Sequence, residues 1–411
     1  MNEQLQWHLD PASAPKRILS LDGGGVRGLI TLGILDNIER LLAARSPDPD
    51  AFRLSDYFDL IAGTSTGSII ATGLALGWKV ERIKKLYEDI SPKAFRPRAK
   101  GLLRAVFDAD TVERFLKKEL GNEPLQSDKL KTGLMICAKR IDTGSPWVLT
   151  NNPAAKYWES PDKRHEPNKE YQLWMLVRAS TAAPLYYNPV EVTINPPGGI
   201  YEAEQGLFID GAVGGHNNPS LQALLVATLP SYGFGWPKGA SKLFMVSVGT
   251  GFWRMQHSVE AFHELYNYQK ATAALTGMVQ DTVIQGVVTM QALSAPRKPW
   301  RINSEIGDMR GERIVDDPVL TYQRFDAMLD PTTVARVCNI RNSAGRVEKL
   351  LADLRQIGNV DRRNLQRLFA IGHDVGNVTQ PGRDGIEPED FPSTFDPPRV
   401  GAAAERENVS A

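Results

Sequence analysis

Three short stretches of the chain hold residues whose types and spacing could do chemistry together. In Gly63-Thr64-Ser65-Thr66-Gly67 a serine stands between two glycines, with Ile61-Ala62 before it and Ile69-Ile70 after it. This is the pattern of a strand, a tight turn and a helix, and a serine held on such a turn is a candidate nucleophile. The N-terminus of the helix favours negative charge developing beside it. In Asp22-Gly23-Gly24-Gly25-Val26-Arg27-Gly28 successive glycines expose backbone N–H groups ahead of another helix, a surface suited to an oxyanion. Asp210-Gly211-Ala212 puts a carboxylate at the end of the apolar run Leu207-Phe208-Ile209, where functional groups collect in a parallel α/β sheet.

Each stretch also has a plainer reading. Gly63 to Gly67 could be a βα turn with a serine cap, and Asp210 could cap the turn that follows it. Gly23, Gly25 and Gly28 also fit the Gly-x-Gly-x-x-Gly fingerprint of dinucleotide-binding folds. That fingerprint expects an acidic residue about 20 positions on, at the end of the next strand. The corresponding region here, Glu39 to Pro47, is helix and breaker. No Gly-Lys-Ser/Thr follows, which excludes a P-loop.

The usual base for a serine nucleophile is histidine, and the chain has six. His8 is near the N-terminus, His165 in a polar loop, and His216 six residues after Asp210. His257, His263 and His373 lie in or near C-terminal helices. None stands at the end of a core strand. Asp210 is then expected to take the proton of Ser65 directly. An ordinary aspartate, with a pKa of about 3.9, is a weak base, so burial beside Ser65 would have to strengthen it.

The elements that must position these groups follow from the apolar pattern. Arg17 to Leu21 reads as a strand, and Val26 to Arg45 as its helix, with Leu35, Ile38 and Leu42 on one face. Tyr57 to Ala62 is a second strand, and Ser65 to Leu76 its helix, stopped by Gly77. A βαβα order implies a parallel sheet covered by helices. Further strands are expected at Leu134 to Ala138, Trp147 to Thr150, Leu207 to Ile209, Leu243 to Val248 and, briefly, Arg301 to Asn303. Helices are expected at Val80 to Ile90, from Asp110 to Gly121, at Leu173 to Ala179 and from Ser220 to Leu229. Val259 to Ala295 and Arg346 to Ile371 also carry helical spacing.

Composition narrows the class. Of 411 residues, 42% are hydrophobic and 23% charged, as in ordinary globular proteins. Lys+Arg and Asp+Glu both number 48, so no net charge points to DNA or RNA. Cys137 and Cys338 are the two cysteines, and neither sits in a zinc-binding spacing; no metal is expected. No signal peptide is recognisable, and no apolar run reaches the roughly 18 residues needed to span a bilayer. The expectation is a cytoplasmic protein with peripheral membrane contact. Lys93 to Phe107, which mixes basic and apolar residues, reads either as an interfacial segment or as a solvated connector.

Taken together, the motifs at 23–28, 63–67 and 210–212 resemble the patatin-like phospholipase family in type and order. Ala179-Ser180-Thr181-Ala182-Ala183-Pro184 and Val248-Gly249-Thr250-Gly251 resemble further pieces of it. The resemblance covers roughly residues 15–255. It implies a three-layer α/β/α domain around a mostly parallel sheet, and a lipid acyl hydrolase without cofactor. By position, Ser65 is the nucleophile and Asp210 the general base. Gly23, Gly24, Gly25 and Arg27 lie in the oxyanion loop, and Gly28, Gly63, Gly67, Gly211 and Ala212 complete the motifs. The expected organisation is a tail at 1–15, a catalytic domain at 16–255, a helical extension at 256–375 and a poorly ordered tail at 376–411. The implied substrate is a phospholipid or lysophospholipid. Some bacterial relatives are switched on by cyclic oligonucleotides in antiphage defence. The arginines after residue 255, among them Arg310, Arg313, Arg336, Arg341 and Arg346, could serve such a nucleotide activator or simply lace a helical surface.

Overall fold

A computed structural model of the chain describes residues 1–13, 15–94, 108–254, 259–341, 343–376 and 385–397. Eight strands form one sheet: β1 (Lys16–Leu21), β2 (Leu60–Thr64), β3 (Gly133–Arg140), β4 (Pro146–Thr150), β5 (Val190–Asn195), β6 (Glu204–Asp210), β7 (Leu243–Val248) and β8 (Thr321–Phe325). Their order is β5-β6-β3-β2-β1-β7-β8, with β4 also paired to β3. Strands β3, β2, β1, β7 and β8 run parallel, whereas β4, β5 and β6 are antiparallel to their neighbours. Every residue of β1, β2 and β7 is buried, as expected for strands covered by helices on both faces. The architecture is three-layer α/β/α with C-terminal helices.

The register places the three motifs together at the ends of strands β1, β2 and β6. Strand β2 covers one edge of β3 as far as Cys137, which stands opposite Thr64. Strand β4 occupies the other edge from Met135 to Lys139. From Ala138 the first edge passes to β6, which arrives antiparallel with Asp210 opposite Ala138. Strands β2 and β6 therefore end tip to tip, Thr64 against Asp210. Asp210 was expected at the end of a parallel strand. It ends an antiparallel one, and reaches the same place because β6 approaches along the overhang of β3.

The helices carry their apolar residues where periodicity put them. In the helix Ala109–Leu120, Val112, Leu116 and Leu120 are buried on one face. The helix Arg362–Val375 lies on the helix Gly28–Ala43. A Cβ on Gly372 would stand 2.0 Å from the carbonyl oxygen of Ile30, and one on Gly33 would stand 2.4 Å from that of Phe369. The two helices touch backbone to backbone because both positions are glycine. The helix Asn267–Ala292 is different: only its C-terminal end, with Val287, Met290 and Ala292, is buried. No helix among the described residues is long and apolar enough to cross a membrane.

Several boundaries differ from expectation. The first residues are no tail: helix Glu3–Leu9 buries Leu5, His8 and Leu9. His8 Nδ1 lies 2.8 Å from Asp59 Oδ1, and Asp59 also accepts Arg17 Nε at 2.8 Å. Burial raises the Asp59 carboxyl, but Arg17 and His8 outweigh it and hold it at about 2. Residues 385–397 are likewise part of the fold. Phe391 and Phe395 are buried beside Phe244, and the Phe395 carbonyl accepts Arg17 Nη1 at 3.2 Å. Both corrections have one cause: apolar side chains in polar-looking terminal segments find the open end of a core whose position local pattern does not show. Strands β5 and β8 were not foreseen, and residues 301–303 form no strand. Strand β8 extends the sheet from within the expected helical extension, so the boundary at 255 cuts through one continuous sheet. Most of the Lys93 to Phe107 stretch, and His257, lie outside the described residues.

Candidate active site

The turn after β2 is built from close approaches. A Cβ on Gly63 would lie 2.2 Å from the carbonyl oxygen of Gly67, and one on Gly67 would lie 2.4 Å from that of Leu21. With glycine at both positions, the helix Thr66–Ala75 starts hard against the sheet. Ser65 bridges them at φ 54°, ψ −128°, a conformation that costs a non-glycine residue about 1–3 kcal/mol. The surroundings hold it there. Its N–H donates to Ser180 Oγ at 2.9 Å, and Ser180 Oγ donates to the Cys137 carbonyl at 2.6 Å. Its carbonyl accepts Ser68 Oγ at 2.6 Å.

The strand register brings Asp210 to this turn, close enough for the Ser65 hydroxyl to lower the carboxyl's pKa. Asp210 Oδ1 also accepts the Ala212 N–H at 2.9 Å. Gly211 permits the approach, since a Cβ there would stand 2.5 Å from the Cys137 carbonyl oxygen. Burial raises the Asp210 carboxyl to about 6, against the opposing pull of Ser65 and the Ala212 N–H. The pair is thus a hydroxyl on a carboxylate made more basic by dehydration. Among the described residues no histidine bonds to either group. His216 is half-buried, and burial, with Lys139 adding to it, lowers its pKa.

The glycine loop sits above the pair, and the structure separates its N–H groups. That of Gly23 donates to the Asn217 carbonyl at 2.9 Å, and that of Arg27 turns back to the Gly24 carbonyl at 3.3 Å. That of Gly24 donates to Thr66 Oγ1 at 3.1 Å. Among the described residues no acceptor meets the N–H of Gly25, which sits at φ +63°. The four expected oxyanion residues therefore differ: among them Gly25 has a donor to offer, and the Gly23, Gly24 and Arg27 amides are committed.

Beneath the loop lies a buried charge cluster. Arg324 of β8 donates two hydrogen bonds to Asp22, at 2.9 and 2.7 Å, one to Asp326 at 2.7 Å and one to Ser247 at 2.8 Å. Burial pulls the guanidinium pKa down, but the two carboxylates outweigh it and hold it charged. Thr250 adds a bond to the Gly23 carbonyl at 2.9 Å. Nothing in local sequence marks Arg324, which is 302 positions from Asp22. Ser180 and Thr250 fall in segments already noted as family-like, though without a role.

Ser65, Asp210 and the loop open into a cavity of about 890 Å³. One wall is apolar, with Ile69, Ile90, Val112, Phe115 and Leu116. Trp253, Leu275, Val279, Val283 and Ile357 also line the cavity. The arginines noted after residue 255 do not gather here. Arg310, Arg313, Arg341 and Arg346 are exposed, and Arg336 pairs with Asp374. The described residues contain no cluster able to hold a metal ion.

An open α/β sheet whose strand ends seat a serine, a carboxylate and a glycine loop defines a recognisable class of domain. Residues 19–224, half of the chain, match the family model of the patatin-like phospholipases, and the chain belongs to that family. It is 35% identical over 180 residues to a cGAMP-activated phospholipase of Escherichia coli (strain TW11681), covering 42% of this chain and 48% of that protein. It is 28% identical over 307 residues to Patatin-17 of Solanum cardiophyllum, covering 69% and 75%. The match thus spans about half the length of the bacterial relative. The solved structure of VipD from Legionella pneumophila aligns over 87% of this chain and 67% of its own at 12% identity, with a TM-score of 0.34, too distant to carry an argument.

Proposed function

We propose that the chain is a serine lipid acyl hydrolase that cleaves carboxylic esters of phospholipids or lysophospholipids through a Ser65–Asp210 dyad. The observation that carries this is that Ser65, held at a strained strand-to-helix turn, and the buried carboxylate of Asp210 line the same largely apolar cavity, one large enough for an acyl chain. Ser65 Oγ attacks the ester carbonyl while its proton passes to Asp210. The carbonyl oxygen, now an anion, is met by the N–H of Gly25 in the glycine loop. The tetrahedral intermediate collapses, and the leaving alcohol takes the proton from Asp210. Water then attacks the acyl-enzyme, giving its proton to Asp210, and the fatty acid leaves as Ser65 regains its own. The lipid is drawn from a membrane surface to which the protein binds peripherally, on the cytoplasmic side.

Mass spectrometry of a lipid extract treated with wild type, Ser65→Ala and Asp210→Asn tests the reading. Fatty acids and lysolipids should accumulate with wild type alone. Full release by Ser65→Ala would sink it.

A second, finer reading is favoured by the similarity to the cGAMP-activated enzyme. The same hydrolase would be gated by a cyclic oligonucleotide and would degrade membrane lipid in antiphage defence. The lipase assay with a panel of cyclic di- and trinucleotides decides this, and no stimulation by any member counts against gating.

A further inference from the structure

The cavity wall beside the glycine loop carries two guanidinium groups that the proposed chemistry does not use. Arg27 lies over the ring of Trp253 at 4.4 Å from its centroid, and Arg355 lies over the same ring at 5.8 Å. All three residues line the cavity that holds Ser65. Arg27 is only 9% exposed. Its Nε donates to the Gly24 carbonyl at 3.3 Å, and its Nη1 is buried without an acceptor. Arg355 donates Nη2 to the Leu329 carbonyl at 2.8 Å, and its Nε is likewise buried without an acceptor.

The surrounding carboxylates do not neutralise them. Asp326, which faces Arg27, is committed to Arg324 at 2.7 Å and to the Gly251 N–H at 2.8 Å. Asp330, which faces Arg355, caps a helix by accepting the Thr333 N–H at 2.7 Å. Asp361, also on the cavity wall, accepts the N–H groups of Arg363 and Asn364 at 3.0 and 3.2 Å. Among the described residues no carboxylate pairs with Arg27 or Arg355. Burial lowers the pKa of both, against the opposing pull of Asp326 on Arg27 and of Asp330 on Arg355. A buried and a half-buried guanidinium, each with an N–H lacking an acceptor, on one aromatic platform are a costly arrangement for an empty wall. They match an anion that accepts several planar N–H donors, which is the chemistry of a phosphate group.

We propose that Arg27 and Arg355, stacked on Trp253, form a phosphodiester-binding subsite in the Ser65 cavity. The subsite orients a phospholipid with its phosphate on the arginine wall and its acyl ester over Ser65. The inference rests on the hydrolase reading for the identity of the substrate, but not for the existence of the site. A cyclic dinucleotide carries the same phosphodiester chemistry, and the experiment separates the two sources.

The test is equilibrium binding to the full-length Ser65→Ala protein, so that no turnover is needed. The probes are dihexanoyl phosphatidylglycerol, dihexanoylglycerol and a cyclic GMP–AMP dinucleotide. The expected result is that the phosphate-bearing lipid binds about tenfold or more tighter than the neutral one, and that Arg355→Gln removes this preference. If the dinucleotide alone binds in an Arg355-dependent way, the subsite stands and its phosphodiester belongs to a regulator. Equal binding of the two lipids together with no Arg355-dependent dinucleotide binding overturns the proposal. Retention of the lipid preference in Arg355→Gln also overturns it, and the neutral Arg355→Met, which keeps an unbranched stem against Trp253, gives the same reading where the first variant does not fold. Absence of fatty-acid release by wild type would strike the hydrolase reading and leave these binding results intact.

Discussion

The backbone N–H of Ser65 donates to the hydroxyl of Ser180 at 2.9 Å, joining two residues 115 positions apart. Ser180 passes the bond on to the Cys137 carbonyl, so helix Leu173–Ser180 and strand β3 together clamp the turn that presents Ser65. A residue at φ 54° keeps that conformation only where its surroundings over-determine it.

Ser180→Ala should therefore cost both stability and rate. It leaves a buried N–H and a buried carbonyl without that partner, a loss of about 1–3 kcal/mol. Thermal unfolding should shift down by several degrees, and kcat should fall more than KM rises. An unchanged melting temperature would show that the clamp is not needed.

Asp210 links pH to both activity and stability. It must be ionised to take the Ser65 proton, so kcat/KM should rise through a single ionisation near pH 6. Its folded-state value lies above the ordinary 3.8, so the native state binds this proton more tightly than the unfolded chain. That contribution to stability is fully present below about pH 4 and is lost as the pH rises through 6. Above that, the buried carboxylate burdens the fold by on the order of 3 kcal/mol. Inactive Asp210→Asn should accordingly resist denaturant better than wild type at pH 8 and lose that advantage at pH 4. Equal midpoints at both pH values would contradict the linkage.

Gly25 is fixed by both backbone and space. It has φ +63°, and a Cβ would stand 2.5 Å from the Ile357 carbonyl oxygen. Gly25→Ala should lose about 1–2 kcal/mol from the left-handed conformation alone. By displacing the free N–H it should also lower kcat by about 100-fold or more. A variant as active as wild type would remove Gly25 from the oxyanion site.

Arg324 holds the loop from below through Asp22. Arg324→Met leaves Asp22 and Asp326 buried without their counter-charge, a loss of about 3–5 kcal/mol. Chemical denaturation should show that loss, and ester hydrolysis should fall with it as the loop shifts. Unaltered stability would mean that water or another group replaces the guanidinium.

The local elements were legible from the chain because their causes are local. Strand β7, Leu243–Val248, falls where the apolar run placed it, and the helices after the two glycine turns begin within two residues of expectation. Gly63, Gly67 and Gly211 were visible as motif residues because each answers a steric demand of its own turn. What pattern alone could not supply was which element meets which. The antiparallel approach of β6 and the buried pairing of Arg324 with Asp22 depend on contacts between residues far apart in sequence. So does the docking of Phe391 and Phe395 onto Phe244. Hydrophobic period and turn chemistry report a residue's neighbours along the chain, not its partner across a core. The sequence by itself determined that a serine, a carboxylate and a glycine loop would stand at strand ends. Only the tertiary structure decided that β2 and β6 end tip to tip, which is why Ser65 and Asp210 face one cavity.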